Sequence, residues 1–316
     1  MPLSNDPQAA ALRQDVLQAL DNLNGGVHPG FRPAHAKGTF LSGKFTPSPA
    51  AISLTKAPHI QRDETPVIVR LSDFAGVPNV PDYSQDASPR GCAIRFQLAE
   101  HEHTDIVAHS AEGFPVRTAP EFVELLRAVY SSGPDVPSPK PIEIFLSTHP
   151  KALEYVQLPK PIPASLAKES FFAVSAFKFT NNGGVAQFGR YRILPEEEPE
   201  YLDSANASAK GSDFLFDELS QRLQKGPVKF RMVVRLAGPG DPVDDATIQW
   251  SGDRQQIEFG VLTLTAEIPA ADPDAHRIVF DPIPRVDGIE PSADPLFEPR
   301  ADVYLASGRR RRSAAQ

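Results

Sequence analysis

A histidine and an arginine lie close together near the start of the chain. Residues 31–40 read FRPAHAKGTF, which places Arg32 and His35 three residues apart, directly before a turn of small residues. Imidazole can act as a general acid or base near neutral pH, and guanidinium can bind a carboxylate through two hydrogen bonds. One such pair is more often structural than catalytic, so its role depends on the partners that the rest of the chain supplies.

Two further pairs are candidates for these partners. Arg70 and Ser72 stand in VIVRLSDFAG, on or just after a predicted strand. Arg300 and Tyr304 are four residues apart, so a helix would place both side chains on one face. A neighbouring guanidinium lowers the pKa of a phenol, and phenolate is a hard ligand for ferric iron. Tyr304 is therefore a candidate metal ligand.

Hydrophobic periodicity predicts the elements that would position these pairs. Helices are predicted over 7–23, 119–130 and 212–226. Strands are predicted over 65–72, 92–99, 104–110, 169–181, 185–194, 228–237 and 255–268. The Asn-Asn-Gly-Gly sequence at 181–184 predicts a hairpin turn. Long strands joined by hairpins, without a regular alternation of strands and helices, predict an α+β fold in which helices decorate an antiparallel β-barrel.

Length and composition predict one globular domain over residues 1–316, because no shift in composition marks a boundary. Within it, residues 1–24 form an N-terminal helix with its lead-in, and residues 309–316 form a solvated basic tail that begins with Arg309–Arg312. A formal net charge of -8 argues against nucleic acid as the main partner. The 33 prolines predict extended, well-defined loops.

Cysteine content and hydropathy bear on the compartment. Cys92, the only cysteine, excludes an intrachain disulfide and stands in an apolar run that predicts a buried thiol. No stretch approaches the roughly 20 apolar residues that cross a bilayer, and the first residues do not resemble a signal peptide. We therefore expect a cytoplasmic protein without a membrane partner. A solvated loop, rather than a metal site, is predicted for His101, His103 and His109.

Five motifs, read in order, make the sequence resemble the haem catalase superfamily in its small form, the catalase-related peroxidases. The motifs are FRPAHAKG, VRLSDFAG, SPRGCAIRFQ, DIVAHSAEGFPVRT and FDPIPRVDGIEPSADPLFEPRADVY. The resemblance implies a catalase-like barrel of about eight strands. It also implies that the C-terminal helical region that carries NADPH in some catalases is missing, so we expect no NADPH site.

The resemblance further implies a site for haem b. His35 would act as acid and base on the distal side of the iron, and Ser72 would orient it by a hydrogen bond. Tyr304 would bind the iron from the proximal side, and Arg300 would hydrogen-bond its phenolate. Phe114 occupies an aromatic position close to the porphyrin. The positions that bind the haem propionates correspond to Arg32, Arg70 and Arg311.

The main departure from the family pattern concerns the distal side. Where typical catalases carry an asparagine that helps to polarise peroxide, the aligned residue is Ser110, with His109 before it and Glu112 shortly after it. The proximal motif also differs, since it reads RADVY rather than RLFSY. The distal change favours a peroxidase over an efficient catalase. Such a peroxidase would use hydrogen peroxide or an organic hydroperoxide to oxidise a small organic electron donor, with weak or moderate catalase activity.

Three other functions stay open. An enzyme similar to allene oxide synthase would convert a fatty-acid hydroperoxide without an external donor. A non-catalytic haem-binding protein would need Tyr304 but not His35, and a haem-free binding barrel would leave the pairing of Arg300 with Tyr304 unexplained. The short segment before the first motif predicts a monomer or homodimer rather than an intertwined tetramer.

Overall fold

The secondary structure combines many strands with helices between and after them. The computed structural model describes residues 3–314. Its strands are β1 (Gly38–Pro47), β2 (Thr65–Ser72), β3 (Gly91–Ala99), β4 (Glu102–His109), β5 (Ile162–Pro163), β6 (Phe171–Phe172), β7 (Phe177–Thr180), β8 (Ala186–Pro195), β9 (Tyr201–Leu202), β10 (Val228–Leu236), β11 (Gln256–Ile268) and β12 (Ile289–Pro291). Its α-helices are α1 (Pro7–Leu23), α2 (Ala119–Tyr130), α3 (Pro141–Thr148), α4 (Pro150–Gln157), α5 (Ser204–Ser208), α6 (Phe214–Lys225), α7 (Pro273–Arg277) and α8 (Phe297–Ala314).

Eight antiparallel strands close into a barrel. They follow the order β10, β11, β1, β2, β3, β4, β6 and β8, and β8 pairs back to β10. β7 and β12 extend the sheet beside β8, and β5 pairs only with β9. The α+β barrel predicted from the sequence is therefore confirmed. Its interior is filled by a buried cluster rich in aromatic side chains, among them Phe45, Phe96, Tyr191 and Phe259.

The single strand predicted over residues 169–181 is wrong. β6 and β7 both pair with β8, but residues 173–176 between them leave the strand. The Ser292 N–H donates to the Ala176 carbonyl at 3.1 Å, so this segment bonds outside the ladder. The interruption brings the hydroxyl of Ser175, a residue only 2% exposed, to 3.4 Å from Arg300 Nη1. A long-range contact of this kind leaves no periodic signal in the sequence.

Helix α1 packs against both α2 and α8. α2 begins with a capping box, in which Thr118 and Glu121 satisfy each other's backbone N–H groups. The shared apolar cluster between the three helices consists of Val16, Ala19, Leu20, Val123, Leu126 and Val303. The helix predicted over residues 7–23 thus buries apolar side chains in this cluster.

Over its described residues, 309–314, the basic run near the end of the chain is part of a helix rather than a solvated tail, and residues 315–316 of the predicted tail lie outside the described residues. Arg309–Arg312 lie in the last turns of α8. Arg310 forms a two-bond ion pair with Asp21 of α1, at 2.6 and 2.9 Å, and Arg311 is only 7% exposed. The sequence alone could not reveal this arrangement, because the carboxylate partner lies on a distant helix.

Helices α3 and α4 were not predicted, because prolines were interpreted as loop signals, and the short helices α5 and α7 were not predicted either. Pro141 and Pro150 are the first residues of α3 and α4. Proline is favoured at that position, since the first N–H of a helix has no partner within the helix. Among residues 3–314, no helix combines the length and apolar character needed to cross a membrane.

Candidate functional site

One cavity of about 230 Å³ collects nearly all of the predicted site residues. Its lining comes from the segment before β1, from β2, β3 and β4, and from helices α1, α2, α4 and α8. The predicted residues that line it are Arg32, His35, Arg70, Ser72, Phe114, Arg300, Tyr304 and Arg311. Of the nine that the sequence indicated, only Ser110 lies outside this lining.

His35 is held on several sides by the strands that follow it. Its backbone N–H donates to the Phe74 carbonyl at 2.6 Å. Its ring Nδ1 lies 3.1 Å from the hydroxyl of Ser72, the last residue of β2. The ring of Phe74 meets the imidazole edge-on at 5.4 Å. Gly91 pairs with Ser72 across the sheet, and a Cβ there would lie 2.6 Å from both His35 Nδ1 and Ser72 Oγ. The predicted orientation of His35 by Ser72 therefore has the geometry it needs.

The electrostatics of the cavity keep His35 neutral. Burial lowers its pKa to about 3, with further lowering from Arg70, His109 and Arg32. A neutral imidazole has one ring nitrogen free to accept a proton. His35 can therefore serve as a base across the physiological pH range.

Arg300 and Tyr304 lie one turn apart on α8, as their spacing predicts. Arg300 Nε and Nη2 lie 3.4 and 3.5 Å from the phenolic oxygen of Tyr304. Arg300 Nη1 also donates to the Ser175 hydroxyl at 3.4 Å. The guanidinium thus links Ser175, between β6 and β7, to Tyr304 on α8, and it presents two N–H groups to the phenolic oxygen. A phenolic oxygen held in this way by charged donors is available as a ligand for a ferric ion.

Three arginines converge on one part of the cavity wall. Arg32 Nη2 and Arg311 Nη2 both donate to the carbonyl of Ile278, at 3.2 and 3.1 Å. Arg70 Nη2 donates to the Ala36 carbonyl at 3.2 Å. Among residues 3–314, none of the three forms an ion pair with a carboxylate. The chain therefore gathers three positive charges that it does not neutralise itself.

These charges are poorly solvated. Burial lowers the pKa of Arg70 to about 9, with Arg311 as the next contribution, and burial also lowers the pKa of Arg311 to about 10. The Nε atoms of Arg70 and Arg311 are buried and have no hydrogen-bond partner within the described residues. Buried charge without a counter-charge is costly. The cluster therefore fits a ligand that carries two carboxylates, as the propionates of haem do.

The structure places Ser110 outside the lining of the cavity. β4 ends at His109, and the Ser110 hydroxyl accepts a hydrogen bond from the N–H of Arg90 at 2.9 Å. His109 lines the cavity instead, and its Nδ1 accepts from the Ala111 N–H at 3.2 Å. Adjacent residues at a strand end face opposite sides, so counting the alternation along β4 could have distinguished the two. The solvated loop predicted for His109 is therefore wrong, because this residue ends a strand and lines the cavity.

Other lining residues complete the cavity. Phe114 packs 5.5 Å from the ring of Phe122 and 6.4 Å from that of His109, measured between ring centroids. Tyr155 was not predicted, because its helix α4 was not. Cys92 is buried as predicted, and burial raises the pKa of its thiol. Glu112 is directed elsewhere, since it pairs with Arg235 Nη1 at 2.6 Å.

The sequence of the chain matches a known family along most of its length. The family model described as Catalase matches residues 26–315. The chain belongs to the catalase family. A catalase-related peroxidase of Mycolicibacterium paratuberculosis is 37% identical over 297 residues, which cover 92% of each chain. A catalase-related peroxidase of Synechococcus elongatus is 33% identical over 298 residues, covering 92% of this chain and 86% of that protein.

Solved catalase structures have the same fold. A fungal catalase superposes with a TM-score of 0.79 at 21% identity, and catalase A from Saccharomyces cerevisiae with 0.78 at 20%. These matches cover 95% and 94% of this chain but 63% and 64% of the two catalases, so this chain is the shorter one. As a member of the catalase family, it is a haem oxidoreductase, and hydrogen peroxide is the substrate that the family implies.

Proposed function

We propose that this catalase-family protein is a haem peroxidase. It uses hydrogen peroxide or an organic hydroperoxide to oxidise a small organic donor, and it retains weak or moderate catalase activity. The observation that carries the proposal is the meeting of three features in one cavity. These are the pair His35–Ser72, the pair Arg300–Tyr304 and the cluster of unneutralised arginines.

The residues of the cavity fit haem b. Tyr304 would supply the phenolic oxygen that binds the iron, with Arg300 donating to that oxygen. The propionates would neutralise the three converging arginines, and Phe114 would pack beside the porphyrin. When bound, the haem supplies the iron centre that accepts the oxidising equivalents of the peroxide.

His35 would move the proton. It would remove a proton from one oxygen of the peroxide and return it to the other, so that the O–O bond breaks, one oxygen leaves as water and the two oxidising equivalents pass to the haem; this is general acid–base catalysis. The contact between Nδ1 and Ser72 fixes the ring, which leaves Nε2 as the atom that exchanges the proton. Burial lowers the pKa of His35 to about 3, so the imidazole is neutral and one of its ring nitrogens can accept a proton.

Two observations favour a peroxidase over an efficient catalase. No asparagine is among the described residues that line the cavity, whereas typical catalases use one to polarise peroxide. The relatives that are 37% and 33% identical bear the name catalase-related peroxidase. Catalases that align over a similar length are more distant, for example at 27% identity for that of Pseudomonas aeruginosa.

The test measures products from the haem-loaded protein. Hydrogen peroxide is supplied with and without a phenolic donor, while donor oxidation and oxygen release are followed together. The proposal predicts donor oxidation that outpaces oxygen release, and neither reaction from the haem-free protein. Fast oxygen release without donor oxidation would instead indicate a catalase. Conversion of a fatty-acid hydroperoxide without any donor would indicate an enzyme similar to allene oxide synthase.

A further inference from the structure

The backbone of His35 adopts a conformation that the protein must enforce. Its φ angle is 59°, in the left-handed region that residues other than glycine seldom adopt. Such a conformation persists only when the surrounding structure over-determines it, and this is common at active sites. The contact with Ser72 restrains the ring and not the backbone, so other groups must hold the segment in place.

A circuit of buried charged groups surrounds this segment. Lys37, two residues after His35, contacts the Asp82 carboxylate at 2.5 Å. The guanidinium of Arg90 donates to the Asp82 carbonyl and to the Asp73 carboxylate. Asp73 closes the circuit, because its backbone N–H donates to the carbonyl of Lys37 at 3.1 Å. Asp73, Asp82 and Arg90 have no exposed surface.

The circuit joins each stretch of chain that touches His35. Asp73 lies between Ser72, whose hydroxyl contacts the ring of His35, and Phe74, whose carbonyl accepts from the backbone N–H of His35. Arg90 precedes Gly91, whose Cα faces the imidazole. The backbone of Arg90 is in turn held by Ser110, which accepts from its N–H and donates to its carbonyl at 2.9 and 2.8 Å. Lys37 anchors the third stretch, on which His35 itself stands.

We propose that Asp73 and Arg90 are positioning residues for His35. Their ion pair, closed through Asp82 and Lys37, fixes the distance between the end of β2 and the start of β3, and so holds His35 in its left-handed conformation. This also gives Ser110 a role, which is to support Arg90. The inference rests on the proposed function, because it concerns the residue that would move the proton.

The deciding variant replaces both charges at once, as D73L/R90M. Replacing a buried ion pair by apolar residues of similar volume is often neutral for stability, so a purely structural pair would leave the enzyme unchanged. The positioning role predicts a thermal unfolding midpoint close to that of the wild type and a kcat/KM for hydrogen peroxide that falls about 10–100-fold, since small misplacements of reacting groups cost this much. The haem spectrum and the KM for the donor should not change.

The matched control is D241L/R254M. Asp241 and Arg254 also form a two-bond ion pair, at 2.7 and 3.0 Å, and neither lines the cavity. This variant should keep kcat/KM within twofold of the wild type. A D73L/R90M enzyme that matches this control in its reaction with peroxide would overturn the proposal. If D73L/R90M does not fold, Lys37→Met opens the circuit at its other end and is expected to give the same loss; wild-type activity there would overturn the proposal.

A second readout needs no haem. The imidazole signals of His35 are recorded by NMR in the haem-free protein with ¹⁵N-labelled histidine and assigned by their loss in His35→Gln. The proposal predicts that these signals shift or broaden in D73L/R90M and stay in place in D241L/R254M; unchanged signals in both would contradict it. If the wild-type protein binds no haem, only the proposed function is contradicted. The NMR measurement uses the haem-free protein, so it still tests the positioning of His35.

Discussion

Two histidines of this chain, His35 at the cavity and His59 in the barrel core, have the same protonation behaviour in different surroundings. Burial lowers the pKa of each to about 3. His35 has a hydroxyl partner for Nδ1 and lines the cavity. His59 is 1% exposed, and neither of its ring nitrogens has a partner within the described residues. Its ring stacks on Phe96 at 4.6 Å.

A functional imidazole is recognised by its partners and its location rather than by its pKa. Burial alone depresses the pKa of a histidine, so a low pKa does not identify a catalytic base. The two histidines differ in their partners, because one ring is held by a polar group at a cavity and the other is packed among aromatic rings. Phe45 and Phe259, at 6.1 and 5.8 Å, complete the surroundings of His59. The partner and the cavity, rather than the pKa, distinguish the two sites.

The largest expected difference between the two is in catalysis. His35→Leu should lower kcat/KM for hydrogen peroxide about 100–10,000-fold, because it removes the group that transfers the proton. His59→Leu should leave kcat/KM within twofold of the wild type. Steady-state peroxidase assays of both haem-loaded variants test this. Equal losses in the two variants would mean that His35 acts only through packing.

The two histidines should contribute alike to the pH dependence of the free energy of unfolding. Between the ordinary pKa of 6.5 and the folded value of about 3, the unfolded chain binds more protons than the folded one. The free energy of unfolding therefore falls as the pH is lowered through this range, by up to a few kcal/mol per histidine. His59→Leu and His35→Leu should each flatten this dependence. Chemical denaturation of the haem-free proteins at pH 4 and pH 7 measures it, and an unchanged slope in His59→Leu would contradict the account.

A smaller effect is expected from the glycine that faces His35. Gly91→Ala places a methyl group 2.6 Å from His35 Nδ1, which should displace the ring and lower kcat/KM about 10–100-fold. Gly133→Ala is the matched control, because a Cβ there meets nothing within 4 Å. Wild-type kinetics for Gly91→Ala would mean that the position of His35 tolerates movement.

Local patterns predicted most of the fold. β2 and α2 have the bounds that their periodicity indicated, and the turn at 181–184 joins β7 to β8. The failures have physical causes. Pro141 and Pro150 can equally end a loop or begin a helix, and only the structure decides between these. Residues 173–176 leave their strand for contacts with distant segments, which no local pattern encodes.

The site was predicted in part. The pairs His35–Ser72 and Arg300–Tyr304 were recognised from short motifs, and both are in contact. The convergence of Arg32 and Arg311 on one carbonyl joins residues from opposite ends of the chain, so proximity in the sequence gave no sign of it. The motif did not show which of His109 and Ser110 faces the cavity, because that depends on the alternation of side chains along β4 and not on the order of residues in the motif.

The most direct test of the central claim is a haem titration of the wild type and of Tyr304→Phe, followed by absorption spectroscopy. Tyr155→Phe is the matched control, because Tyr155 also lines the cavity and is not expected to bind the iron. The account predicts that the wild type and Tyr155→Phe show a ferric high-spin spectrum of the phenolate type and that Tyr304→Phe loses it. A Tyr304→Phe protein with the wild-type spectrum would contradict the assignment of Tyr304 as the iron ligand.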